Sequence, residues 1–181
     1  MKYRVKRHAV VQPLDQSYRF IALTRNQNAI VDATDFDWLN QWNWLAWWNP
    51  KTESFYATRK GMPTESKIVY MHRFILGDVE NDVDHENQDT LDNRRKNLRS
   101  ASRTMNMLNR GPQWNNKTGF KGVCWNPKAN RFIAQAGLHR RNFNLGRYKT
   151  AEAAACAYDL FALLNHKEFA RTNLLGATPP V

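Results

Sequence analysis

MHRFILGDVENDVDHENQDTLDNRRKNLRSASRTMNMLNR, from Met71 to Arg110, is the stretch whose reading decides this chain. Asp84 and His85 stand side by side in it, followed by Asn97 and Asn106, all within 23 residues. Val83-Asp84-His85 is expected to end one strand and Asn97-Leu98-Arg99 to begin the next. Glu86 to Lys96 between them is rich in Asn and Asp, which bond their own backbone and favour a turning loop. Ser100 or Ser102 can cap a helix running to about Arg110, with Gly111 as its stop. The predicted order is strand, loop, strand, helix. A neutral imidazole titrates close to physiological pH, so His85 suits a general base that takes a proton from water. The Asp84 carboxylate and the Asn106 amide oxygen are hard donors suited to Mg2+ or Mn2+, and magnesium usually takes only one or two protein carboxylates. Such a cation would neutralise charge developing at a scissile phosphate.

The His/Asn/Asn spacing inside VDH…LDNRRKNLR…N resembles the HNH nucleases. That resemblance implies a metal-dependent DNA endonuclease with a ββα-metal fold, its helix crossing the hairpin so that Asn106 nears Asp84 and His85. It also assigns Asn97 a part in catalysis, bracing the loop and orienting His85 through the backbone. His72, in Met71-His72-Arg73, falls in a segment that the family packs beneath the active site. Arg94, Arg95, Lys96 and Arg99 read equally as a solvated face or as phosphate contacts, and Arg94, Arg95 and Arg99 are candidates for the latter. The competing view of the whole motif is a vestigial nuclease fold kept for binding alone.

Charge points the same way as the motif. A net charge of +11 favours an acidic partner, with nucleic acid foremost. Its distribution is uneven: +4 over residues 1–60, zero over 61–110 and +7 over 111–181. The motif is neutral and its flanks carry the attraction for phosphate. The two cysteines, Cys124 and Cys156, form no CxxC, so neither a zinc knuckle nor a disulfide framework is expected. The first residues, MKYRVKRHAV, lack an apolar run of signal-peptide length, and no stretch is long and apolar enough for a membrane span. The expected setting is cytoplasmic, with no membrane partner.

Downstream, three short alternating runs precede a helical pattern. Val123 with Trp125, Phe132 with Ala134 and Ala136, and Phe143 with Leu145 mark an inner face. Thr150 can cap a helix with Ala154, Ala157, Tyr158, Phe161 and Leu164 on one side. The outer face then carries Cys124, Asn126, Arg131, Ile133, Gln135, Asn142 and Asn144, bordered by Lys121, Lys128, Arg140 and Arg141. Asn and Gln can pair with adenine edges, and the cations with guanine or phosphate. No acid occurs from Thr118 to Thr150, which argues against an ordinary solvated face.

Lys121-Gly122-Val123, Leu145-Gly146-Arg147-Tyr148, Thr150-Ala151-Glu152-Ala153-Ala154 and Ala157-Tyr158-Asp159 resemble the Apetala-type (ethylene-response-factor) DNA-binding domain. That resemblance implies a three-stranded sheet in the DNA major groove with one helix behind it. Where plant domains place arginine or tryptophan to read bases, this chain has Cys124, Asn126, Gly137, Asn142 and Asn144, so the plant target does not transfer.

Ahead of the motif, Tyr18–Leu23 and Ala29–Val31 read as strands around Arg25-Asn26-Gln27-Asn28. Thr34 can cap a short helix, and Trp44–Trp48 with Phe55–Thr58 read as a second hairpin. Five of the seven tryptophans fall between positions 38 and 48, and core packing is favoured over base stacking for them. The expected class is α+β: an aromatic-rich leader over 1–65, the nuclease motif over 66–110, a linker over 111–117, the DNA reader over 118–175 and a tail over 176–181. The expected function is a site-recognising homing endonuclease of phage type, acting as a monomer on double-stranded DNA without an obligatory protein partner. Its alternative is a non-catalytic, sequence-specific DNA-binding regulator. RNA is disfavoured as target because A-form helices hide the groove such a sheet would enter.

Overall fold

The computed structural model describes residues 7–77, 79–138 and 141–175. With 26 % helix and 33 % strand in separate hairpins rather than alternating units, the chain is α+β. It divides into two compact units, one up to Ser102 and one from Arg103 onward.

The first unit opens with the antiparallel hairpin β1 (Tyr18–Ala22) and β2 (Asn28–Asp32). Arg25 and Asn26 take left-handed backbone conformations at its tip, which a tight hairpin turn demands. Helix α1 (Ala33–Asn40) follows directly, entered at Asp32 without a side-chain cap, so Thr34 lies inside the first turn rather than capping it. A three-stranded sheet of β3 (Leu45–Asn49), β4 (Ser54–Lys60) and β5 (Ile68–Tyr70) comes next, in that spatial order. Helix α2 (Met71–Leu76) leads to the hairpin of β6 (Asp82–His85) and β7 (Leu98–Ala101).

One apolar core serves all of these elements. Ile21, Leu23, Val31, Leu39, Trp44, Ala57, Met71, Ile75 and Leu98 are buried in it together. Arg59 stacks over Trp42 at 4.2 Å and Phe74 at 4.7 Å, and a fork of bonds to Glu65 at 2.7 and 2.8 Å satisfies its charge. The boundary expected near residue 65 is therefore not a boundary of packing, because β4 pairs with β5 across it. The polar loop of the motif also docks on the first hairpin. Ile30 N–H donates to Leu91 O at 2.8 Å, and Asn93 N–H donates to Ile30 O at 2.7 Å. A separate leader would leave both apolar faces wet.

The second unit begins with the short helix α3 (Arg103–Asn109), which packs on the turn Lys167–Phe169. The sheet β8 (Val123–Asn126), β9 (Arg131–Leu138) and β10 (Arg141–Tyr148) is antiparallel, with β9 central. Helix α4 (Ala151–His166) lies on one face, and Thr150 Oγ1 accepts from Ala153 N–H as its cap. Ala154, Ala155, Tyr158 and Ala162 of α4 meet Val123, Ala134 and Ala136 of the sheet. Small residues on both sides bring the layers close: a Cβ on Gly122 would fall 2.1 Å from the Tyr158 ring. Leu164, expected on this inner side, is instead 80 % exposed.

Candidate nucleic-acid interface

In the second unit the strand register fixes which side chains share the open face. Cys124 pairs with Ile133, Asn126 with Arg131, Gln135 with Asn144, and Gly137 with Asn142. These are the rows opposite the helix, and the expected readers Asn126, Arg131, Gln135, Asn142 and Asn144 stand together on them. Arg141 is exposed at the start of β10 and Lys128 in the β8–β9 turn. Arg140 lies outside the described residues.

Two assignments change. Lys121 does not border this face: its ammonium donates to Leu108 O and Arg110 O, closing the end of α3. Burial, with help from the nearby Arg171 and Arg110 charges, pulls its pKa down to about 8. Conversely, Arg147 belongs on the reading face, where it pairs with Ile133 and is exposed. Alternation from Asn142 and Asn144 would have turned it inward, but a bulge between Asn144 and Gly146 inserts one residue and reverses the phase. Gly146 carries the bulge at φ +124°, a region that side chains avoid. Tyr148 then turns inward and donates to Leu145 O at 2.8 Å. The Leu-Gly-Arg-Tyr sequence is the signal that could have located Arg147.

Trp125 and Phe143, expected inside, are 45 % and 39 % exposed at the margins of the helix-covered face. Each rests on one partner, Trp125 on Phe132 at 4.8 Å and Phe143 on Phe161 at 5.3 Å. Asp159, fully buried, accepts from Asn173 N–H at 2.7 Å and Leu174 N–H at 2.8 Å. The Asn173 side chain in turn accepts from Lys121 N–H at 2.7 Å and donates to Lys121 O at 3.1 Å.

In the first unit, Asp84, His85 and Asn97 are brought to one end of the β6–β7 hairpin, and all three are buried. Asn97 clasps the loop. Its Nδ2 donates to Asp92 O at 2.7 Å, its Oδ1 accepts from Asn87 N–H at 2.9 Å, and its own carbonyl accepts from Glu86 N–H at 2.9 Å. Burial pushes the His85 pKa below its ordinary value, opposed by a bond with the Asn93 side chain and by the charges of Asp84, Asp89 and Asp92. Asn93, fully buried, is a neighbour that sequence reasoning passed over. His72 packs edge-on to His85, ring centres 5.1 Å apart, and burial drives its pKa down to about 3.

The cations of the motif hold the fold. Arg94 pairs with Asp92 at 2.6 Å, Arg95 with Asp35 at 2.8 Å, and Arg99 with Asp84 at 2.8 Å. These three were read equally as a solvated face or as phosphate contacts, and each has a carboxylate partner within the fold. Asn106 lies on α3, in the second unit. Among the described residues no group of three or more His, Cys, Asp or Glu side chains is arranged to hold a metal. A magnesium site does not require three, and Asp84 supplies one hard oxygen of the kind such an ion takes.

A three-stranded antiparallel sheet on a single helix, with an open face that is basic and free of acids, defines a small sheet-reading nucleic-acid module. Residues 118–168 match the AP2 domain, and this part of the chain is a DNA-binding domain. No curated protein and no solved structure matches the chain. None of the described helices is long and apolar enough to cross a membrane.

Proposed function

We propose that this chain is a sequence-specific binder of double-stranded DNA that reads the major groove with the open face of β8–β10. The observation that carries this reading is the register. It sets Gln135, Asn142 and Asn144 beside Arg131 and Arg147 on one surface, a set able to pair with adenine and guanine edges and to hold phosphates. Selection of bound sequences from a randomised duplex pool tests it. The expected result is a recovered consensus that Asn142→Ala and Asn144→Ala relax; a pool that remains random after selection overturns it.

A second reading, cleavage of the bound DNA, is favoured by one observation: His85 is buried beside Asp84, on a loop that Asn97 braces, and burial lowers its pKa. In this reading His85 accepts the proton of the attacking water. Asp84 would offer a hard oxygen to a Mg2+ or Mn2+ ion, which when bound supplies positive charge to the phosphate. A cation at Asp84 competes with the Arg99 guanidinium that pairs with it. The neutral motif offers DNA little attraction of its own, and tethering to the basic reader raises its concentration at one sequence, the logic of a homing endonuclease. His85→Ala is expected to abolish magnesium-dependent cutting of a plasmid carrying the selected site while leaving affinity within about twofold. Equal cutting by the variant removes His85 from the chemistry, and no cutting by the wild-type chain leaves the non-catalytic regulator.

A further inference from the structure

The β3–β4–β5 sheet buries one face in the apolar core, and its other face is aromatic, covered at one end by His72 and His85 and exposed at Trp47. Cross-strand pairing sets Leu45 against Thr58, Trp47 against Tyr56, Thr58 against Tyr70 and Lys60 against Ile68. The alternate residues Ala46, Ala57 and Arg59 point into the core. On the aromatic face the rings touch in series. Trp47 lies 6.3 Å from Tyr56 and 6.2 Å from Tyr70, Tyr70 lies 5.4 Å from His72, and Tyr56 lies 6.3 Å from His85. One continuous wall of rings runs from a tryptophan that is 39 % exposed to the buried imidazole of His85.

Trp44 is fully buried, whereas Trp47 and Trp48, on opposite faces at the edge strand, are each 39 % exposed. Lys60 is exposed on the same face as Trp47. The face carries no acid: its residues are Leu45, Trp47, Asn49, Ser54, Tyr56, Thr58, Lys60, Ile68 and Tyr70. The centre of this face, at Thr58, is buried, and its accessible margin bears Trp47 and Lys60 without a carboxylate. Such a margin suits an unpaired base, whose π-face stacks on a ring while its phosphate meets the lysine.

We propose that Trp47, with Tyr56 and Tyr70, is a stacking platform for an unpaired nucleotide of a DNA strand, held next to His85. The inference rests on the DNA-binding reading but uses residues of the first unit only. It gives that unit its own contact with nucleic acid, where its neutral motif offers little electrostatic attraction.

The test measures binding of the full chain to labelled single-stranded oligothymidine and, separately, to its selected duplex, in about 0.2 M salt, where phosphate contacts are weakened. Trp47→Leu keeps the apolar bulk but removes the ring face, and Trp47→Phe restores a ring. The expected result is that Trp47→Leu weakens oligothymidine binding by roughly fivefold to a hundredfold, Trp47→Phe by no more than about twofold, and neither alters duplex affinity. Wild-type affinity in Trp47→Leu, equal losses in both variants, or no oligothymidine binding by the wild-type chain overturns the platform. Loss of duplex binding alone, with the tryptophan effect intact, instead counts against the β8–β10 reading and leaves the platform standing.

Discussion

Arg99 and Asp84 face each other across the β6–β7 hairpin, and two guanidinium nitrogens converge on one carboxylate oxygen at 2.9 and 2.8 Å. Both side chains are largely buried, at 16 % and 9 % exposure, so neither charge is well hydrated. Removing one partner strands the other. Arg99→Ala is expected to lower the stability of the first unit by about 3 kcal/mol, and the double variant Asp84→Asn/Arg99→Leu by clearly less than the two single changes together. Urea midpoints of the three variants check this; additive losses would mean that the pair is not coupled.

Asn97 ties both ends of the motif loop with its side-chain amide. Asn97→Ala leaves a buried carbonyl and a backbone N–H to find new partners, at about 1–3 kcal/mol. Amide exchange at Asn87 should accelerate more than exchange in β1 or β2, because the bond lost is local.

Arg147 and Lys121 make a matched contrast in the second unit. Arg147→Ala is expected to weaken duplex binding at least about fivefold and to lower the slope of affinity against salt by about one, as for a lost phosphate or base contact. Lys121→Ala should leave that slope unchanged and lower the thermal midpoint, because its ammonium serves the end of α3. Titrations at several salt concentrations, with thermal melts, separate the two.

Acid should loosen the first unit. His72 is held to about 3 and His85 below its ordinary value, both by burial. Below an unfolded-state pKa of about 6.5 the unfolded chain binds protons at these imidazoles that the folded chain refuses. Their contribution is therefore complete above that pH and declines as pH falls toward about 3. Urea midpoints at descending pH should fall, and His72→Leu should flatten that fall. An unchanged slope in the variant would assign the acid sensitivity elsewhere.

Gly122 sits at φ +74°, where an added Cβ meets the Tyr158 ring and Gln135 O at 2.6 Å. Gly122→Ala is expected to destabilise the sheet–helix packing by more than about 2 kcal/mol, since steric overlap adds to backbone strain. Near-ultraviolet circular dichroism and thermal melts of the full chain read this out.

Much of this was legible in the sequence, and the failures share one cause. Most of the order of strands and helices followed from period and turn chemistry, as at the polar loop between His85 and Asn97, but β5 and α2 were not among the expected elements. The open face of β8 and β9 followed from simple alternation. Arg147 was missed because the bulge at Leu145 changes the phase within one strand. Lys121 was misassigned because its acceptors, Leu108 and Arg110, come from a segment whose fold alternation does not reveal. Arg94, Arg95 and Arg99 looked like a cationic surface, but their carboxylate partners Asp92, Asp35 and Asp84 are found only by folding. The division at residue 65 failed for a similar reason: the tryptophans around Trp44 share a core with Met71, Ile75 and Leu98. Periodicity describes one strand or helix at a time, while partners are chosen between them.

Asn173 fastens the residues leaving the AP2 domain to the backbone of Lys121, where the chain enters it. Entrance and exit are thus stitched at a single point, and Asp159 anchors the stitch beneath. The chain therefore reaches and leaves the domain at neighbouring points, which one asparagine and the aspartate beneath it keep together.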